Sequence, residues 1–501
     1  MTLRSSGILL HPASLPGPFG VGDLGPQAFR FLDFLHQAKQ HVWQMLPLNP
    51  TRSSANHSPY YCPSTFAGDP LLISPEVLCR QGWLKTSECA PVQVLSGERI
   101  DFETAAKLKK HLLVKAVQRL LHSRQRQALT AFCRRHKSWL DDHALFTVLN
   151  RHFKNSDWCD WPSGLRDRDP GALAEARKTF AAAILHEQAR QLFFFQQWRE
   201  LKHYSRKNGV RLFGDMPIYV PLHSADVWTH QHCFKLGADR RPRFVSGVPP
   251  DYFSETGQLW GHPVYDWDKI RADGYGWWMR RFTMYLNMFD LVRIDHFRGL
   301  VAYWQVPAEA DTALPGDWQP APAAELLVRV QRRFGDLPFV AEDLGTIDAQ
   351  VREIMRQFRL PGMRVLQFAF GDDFPCGAFL PHNHVRTCVA YTGTHDNNTT
   401  LGWFRREASA SEKNRFFEYI GRKVDAATAV WEMIRMAQQS VADTVVIPMQ
   451  DILGLDEQAR MNHPARPEGS WRWRLTSQAL EQAPVQRLAE ITKVYGRSYP
   501  D

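Results

Sequence analysis

Apolar positions along this chain follow two rhythms. Short, near-continuous apolar runs recur at Gly7–Leu10, Val42–Leu46, Val210–Asp215, Leu291–Asp295, Pro338–Asp343, Met363–Ala369, Thr387–Tyr391 and Thr444–Met449. Such runs, rich in β-branched and aromatic residues and closed by Gly, Pro or charge, predict strands buried on both faces. Elsewhere the spacing changes to three and four. Gln27–Lys39 (Phe29, Phe31, Leu32, Phe34, Leu35), Trp277–Met288, Leu326–Phe334, Val351–Phe358 and Glu412–Gln439 read as helices with one apolar face.

Eight strand units, largely separated by helices and polar at their C-terminal ends, predict an α/β fold: a (β/α)8 TIM barrel spanning residues 1–501. A doubly wound open sheet is the alternative, but no GxGxxG loop follows the first strand. Two long excursions interrupt the repeat. Residues 51–209, after the second strand, carry helical periodicity and read as a mostly helical insertion. Residues 217–289, rich in Gly, Pro and aromatics, read as an irregular insertion.

Composition narrows the class. The 501 residues are 44% hydrophobic and 12% aromatic, with 17 Trp, which suits a globular enzyme with flat apolar faces for cores or sugar rings. Eight scattered Cys form no CxxC pair, so free thiols in a reducing compartment are expected. No signal-peptide pattern and no run of 18 apolar residues is visible, and the chain reads as cytoplasmic, with no membrane partner. The formal charge is +9, and Arg99 to Lys137 alone holds eleven Lys or Arg against two acids. That segment is helical in pattern, with Leu108, Leu112, Val117, Leu120 and Leu121 as its apolar face. Without a recognition motif it reads as a solvated basic surface, not a nucleic-acid site.

Candidate chemistry sits at the strand ends. The fourth strand delivers Arg293, Asp295, His296 and Arg298 within six residues, and Arg293 and Asp295, two apart, share a face. A guanidinium there would keep the carboxylate ionised and oriented, as a nucleophile requires; a purely structural ion pair is the alternative. Glu342 follows the fifth strand, Asp396 the seventh and Asp215 the third. Paired carboxylates are the minimum for glycoside chemistry, one attacking the sugar carbon and one moving a proton at the leaving oxygen. His296 and His395, each beside an acid, could hydrogen-bond sugar hydroxyls. A metal site would need a ligand set that the HxH pairs His230/His232 and His382/His384 do not complete. No GxSxG marks a nucleophilic serine.

The motifs taken jointly resemble those of the 4-α-glucanotransferases (amylomaltase or disproportionating enzyme, glycoside hydrolase family 77), relatives of the α-amylase clan. They run the length of the chain: Ser6–His11, Phe19–Gly25, Trp43–Leu48 with Ser58-Pro-Tyr60, Gly214–Val220, Gly247–Phe253 with Gln258–Gly261, Arg293–Gly299, Ala341–Gly345 and Gly393–Asn397. The resemblance implies a retaining transferase moving α-1,4-glucan segments between maltooligosaccharides through a covalent glycosyl-Asp intermediate. Asp295 would be the nucleophile, Glu342 the acid/base and Asp396 the transition-state stabiliser. Arg293, His296 and His395 would line the donor subsite, and Ser58, Tyr60, Asp215, Asp251, Gln258 and Trp260 would contact glucan. Tyr252 and Phe253 would lie on a loop over the acceptor side, and Asn462 on a second loop over the cleft. Pro249 to Phe253 is the expected lid, an apolar cover able to shield the intermediate from water. No cofactor and no metal is implied, because glycosyl exchange needs neither redox nor phosphate chemistry. The expected partners are α-1,4-glucans and maltooligosaccharides, with glucose as product or acceptor. A hydrolase on the same fold and a non-catalytic glycan-binding barrel are the alternatives.

Overall fold

A computed structural model describes residues 4–89, 97–154, 156–250, 255–464 and 468–498. Eight parallel strands form its centre: β1 (Ser5–Leu9), β2 (Val42–Gln44), β3 (Arg211–Met216), β4 (Leu291–Ile294), β5 (Phe339–Ala341), β6 (Gly362–Val365), β7 (Cys388–Tyr391) and β8 (Thr444–Pro448). They pair in the order β6-β7-β8-β1-β2-β3-β4-β5. The Ala341 N–H donates to the Pro361 carbonyl at 2.8 Å and brings the two ends together. The eight-strand barrel expected from the apolar runs is the fold.

Strand alternation divides the core into two layers. Ile8, Leu10, Val292, Ile294, Val445 and Ile447 face outward against the helices. Leu9, Val42, Phe213, Val340, Val365, Val389 and Val446 fill the barrel interior. Both faces are apolar, which is why the runs look continuous in sequence. On β4 the interior face is Leu291 and Arg293, and one step further along the same face comes Asp295.

Between β2 and β3 the chain is helical. Its last helix, Ala181–Lys207, leads directly into β3 and packs on the first barrel helix, Pro26–Gln37, where Tyr204 donates to Asp33 at 2.6 Å. That helix is thus the barrel's own crossover, and the excursion proper ends before it. In the basic segment the inward face differs from the expected one. Leu108 is 38% exposed, whereas Lys109 is buried, donating at 2.7 Å to both Asp23 and the Leu71 carbonyl. A buried ammonium is tolerated there because paired oxygens replace its water.

The segment expected to be irregular holds regular structure. Phe244–Val248 and Gln258–Pro263 are antiparallel strands, extended by Ala302–Pro307 and Asp317–Pro320 into a four-stranded sheet. Its Gly- and Pro-rich composition hid the alternation. All eight cysteines are unpaired. No helix among the described residues is long and apolar enough to cross a membrane.

Candidate active site

The C-terminal ends of the barrel strands open into a cleft of about 570 Å³. Asp295, Glu342 and Asp396 line it together with Arg293, His296 and His395, and so do Ser58, Tyr60, Gln258, Trp260 and Asn462. Asp251, Tyr252 and Phe253 fall outside the described residues, while Pro249 stands at the cleft edge. Asp215 does not reach the cleft surface. It is fully buried beneath it, bound by Arg293 at 2.8 and 2.9 Å. Any influence of Asp215 on a sugar therefore passes through Arg293 and Tyr60.

One guanidinium serves two carboxylates, because Arg293 also lies 2.9 Å from Asp295. The expectation that Arg293 keeps Asp295 ionised underweighted this sharing. Burial pushes the Asp295 carboxyl up to about 7, with Asp215, Glu342 and Asp396 reinforcing the rise and Arg293 opposing it. The cation orients Asp295 but does not fully compensate the charges around it.

Glu342 follows β5 and is held by backbone. His296 N–H donates to Oε2 at 2.8 Å and Leu344 N–H to Oε1 at 2.9 Å. His296 reaches this position with φ of 50°, a left-handed turn that costs a non-glycine residue energy and persists where the surroundings impose it. Burial raises the Glu342 carboxyl, against Arg293 and the two N–H bonds. A carboxyl raised above its ordinary range is suited to giving a proton to a leaving oxygen.

Asp396, beyond β7, behaves oppositely. Burial would raise it, but His395, a hydrogen bond from Asn462 Nδ2 at 2.6 Å, Arg293 and Arg460 together hold it below the usual carboxylate range. Tyr60 completes the cluster. Its hydroxyl donates to Asp215 at 2.7 Å, so its contact with His395 Nε2, also 2.7 Å, requires that ring to be the donor. Burial, the largest influence, pushes His395 down, against the pull of the Asp396 carboxylate 3.3 Å away. The Tyr60 ring lies nearly parallel to His395, 5.3 Å away, and touches Trp471.

The cleft lining also includes residues not expected from the sequence, among them Trp471, Trp318, Tyr219 and His262. For His262 a signal existed. Gln258, Trp260 and His262 alternate along one strand and share a face. Among the described residues no group of three or more His, Cys, Asp or Glu side chains is gathered as a metal would require.

Comparison with known proteins agrees with this geometry. Residues 10–480 match the family model Glyco_hydro_77, described as 4-alpha-glucanotransferase. The 4-alpha-glucanotransferase of Aquifex aeolicus (strain VF5) is 41% identical, covering 99% of this chain and 100% of that protein. That of Thermus thermophilus is 43% identical, covering 98% and 99%. The solved amylomaltase from Streptococcus agalactiae in complex with acarbose superposes with a TM-score of 0.95 at 35% identity, covering 99% of this chain and 100% of that one. This chain belongs to the 4-alpha-glucanotransferase family.

Proposed function

We propose that this enzyme is a retaining transferase that moves α-1,4-glucan segments between maltooligosaccharides through a glycosyl-Asp295 intermediate. The observation that carries this reading is the convergence of Asp295, Glu342 and Asp396 on one cleft, each in a different electrostatic setting. Asp396 is held below its ordinary range while burial raises Asp295 and Glu342. Arg293 binds Asp295 where backbone N–H groups bind Glu342, and unequal environments are how paired carboxylates take different roles. A relative solved with acarbose supports an oligosaccharide ligand.

In the first step Asp295 attacks the anomeric carbon. The Asp295–carbon bond forms, the glycosidic bond breaks, and Glu342 gives its proton to the departing 4-oxygen. In the second step the 4-hydroxyl of an acceptor attacks the same carbon, its proton passes to Glu342, and Asp295 is released. Asp396 stays ionised and binds the hydroxyls of the reacting ring while positive charge develops there. Arg293 fixes Asp295, and Tyr60 offers its face to the ring.

Maltotriose alone tests this. Glucose together with chains longer than maltotriose means transfer. Glucose and maltose with no longer products would mean hydrolysis and would overturn the proposal, and so would no reaction at all.

A further inference from the structure

Beyond Trp260 the cleft wall continues to a residue with no assigned role. Side chains at Gln258, Trp260 and His262 project from one face of the strand Gln258–Pro263, and all three line the cleft. Gln258 and Trp260 are tied to each other, the indole N–H donating to Gln258 Oε1 at 3.2 Å. His262 has no such tie. Nδ1 is covered and has no hydrogen-bond partner among the described residues, which leaves Nε2 as the nitrogen that can face an entering sugar. Among the described residues the His262 ring packs against Tyr61 at 5.3 Å and Tyr219 at 6.4 Å.

Tyr219 is the second unspent group. Its ring is 5% exposed and lines the cleft, yet its hydroxyl lacks a partner among the described residues. It sits beside Gly299, where an added Cβ would come within 3.4 Å of the Tyr219 oxygen and 3.0 Å of His296 Cδ2. A buried hydroxyl without a partner costs free energy, so its retention against a binding cleft, beside an imidazole nitrogen left open to that cleft, points to a polar ligand there.

The position of this wall identifies the ligand. His296 contacts Glu342 through its N–H, and its ring meets Trp260 edge-on at 4.7 Å. The row therefore starts at the acid/base, where the leaving sugar departs and the acceptor enters. The transferred sugar is held elsewhere, by Arg293, His395 and Asp396. Resting on the proposed transferase reading, we infer that His262, backed by Tyr219, recognises a hydroxyl of the acceptor glucan and favours sugar over water as the group that opens the glycosyl-enzyme. Burial holds the His262 imidazole at about 4, so it is neutral near pH 7 and offers one donor and one acceptor to a hydroxyl.

The test uses α-maltosyl fluoride as donor, whose leaving group needs no sugar site, with maltose as acceptor. His262→Phe keeps an aromatic ring and removes the nitrogens, and His262→Gln restores a donor and an acceptor near the Nε2 position. We expect His262→Phe to raise the acceptor KM about three- to tenfold, the size of one neutral hydrogen bond. The transferred fraction of released fluoride should fall with it, and His262→Gln should recover most of both. Tyr219→Phe, a single-atom deletion that keeps the packing, should raise the acceptor KM by about two- to threefold. A wild-type acceptor KM in His262→Phe would overturn the inference, as would equal impairment in His262→Gln, which would mean packing alone. If His262→Phe does not fold, a wild-type acceptor KM in Tyr219→Phe overturns it instead. Failure of the transferase reading looks different: the wild-type protein would release fluoride at every maltose concentration with no longer product, and both proposals would fall.

Discussion

Asn462 Nδ2 stands 2.6 Å from Asp396 Oδ1, and the contact is braced from both sides. Arg460 donates to the backbone carbonyls of Asn462 (2.7 Å) and Asp396 (2.8 Å), and the Asn462 N–H donates to the His395 carbonyl. The loop after β8 thus clamps the loop after β7. Because this bond helps keep Asp396 ionised and in place, Asn462→Ala should raise the Asp396 pKa and weaken its hold on the reacting ring. A hydrogen bond to a charged group is worth about 1.5–3 kcal/mol, so turnover near neutrality should fall at least tenfold. Unchanged turnover would show that Asn462 only covers the cleft.

Asp295 predicts a stability effect of opposite sign to the usual carboxylate. Its folded-state pKa is raised, so its ionisation favours the unfolded chain; this cost is absent below pH 4 and complete above about pH 7. Asp295→Asn removes the cost. With the side chain 28% exposed, solvent reduces the effect, and a gain of about 1–3 kcal/mol at pH 8 is expected. Thermal unfolding of both proteins at pH 4 and pH 8 measures it. A Tm gain that is equal at both values would trace the stabilisation to packing and not to charge.

How far the sequence carried this picture depended on what each residue does. All eight barrel strands were legible because a strand buried on both faces must be apolar throughout, and few other structures demand that. Asp295, Glu342 and Asp396 stand out as candidates because charge at the end of such a strand contributes nothing to its apolar packing, and the structure brings all three to one cleft. The antiparallel sheet was not, since Gln258, Trp260 and His262 alternate with Leu259, Gly261 and Pro263, a pattern that carries no hydrophobic rhythm. Nor could the sharing of Arg293 be read. Asp215 is 78 residues away, and only the pairing of β3 with β4, in which Asp215 stands opposite Arg293, brings them together. Tryptophan misleads for a related reason. Trp43, Trp158, Trp228, Trp277 and Trp278 are fully buried, whereas Trp260, Trp318 and Trp471 line the cleft, and composition does not distinguish the two groups.

Glu342 yields a test of proton transfer that does not depend on folding. Glu342→Gln keeps the shape of the side chain and the acceptor for one of the two backbone N–H groups that bind it. With maltotriose as donor the leaving oxygen needs a proton, and the variant should lose about 10²- to 10⁴-fold in kcat/KM. Fluoride departs without one, so the loss in fluoride release from α-maltosyl fluoride should be far smaller. Equal losses with both donors would assign Glu342 a structural task and move the acid role to another group.

Arg293 and Asp215 should show strong coupling. Both are essentially buried, 4% and 0% exposed, and two hydrogen bonds join them. Arg293→Gln leaves Asp215 charged, buried and short of its cation, an arrangement that costs about 3–5 kcal/mol in other proteins. It also removes the cation that opposes the rise of Asp295, so the pH at which Asp295 ionises should climb. Adding Asp215→Asn removes the stranded charge and should recover a substantial part of the stability. Activity should not return with it, because Asp295 still lacks its orienting guanidinium. A denaturant double-mutant cycle supplies the coupling energy. Additive losses would mean that each residue is held by its other neighbours, and that the link from Asp215 through Arg293 to Asp295 carries no energy.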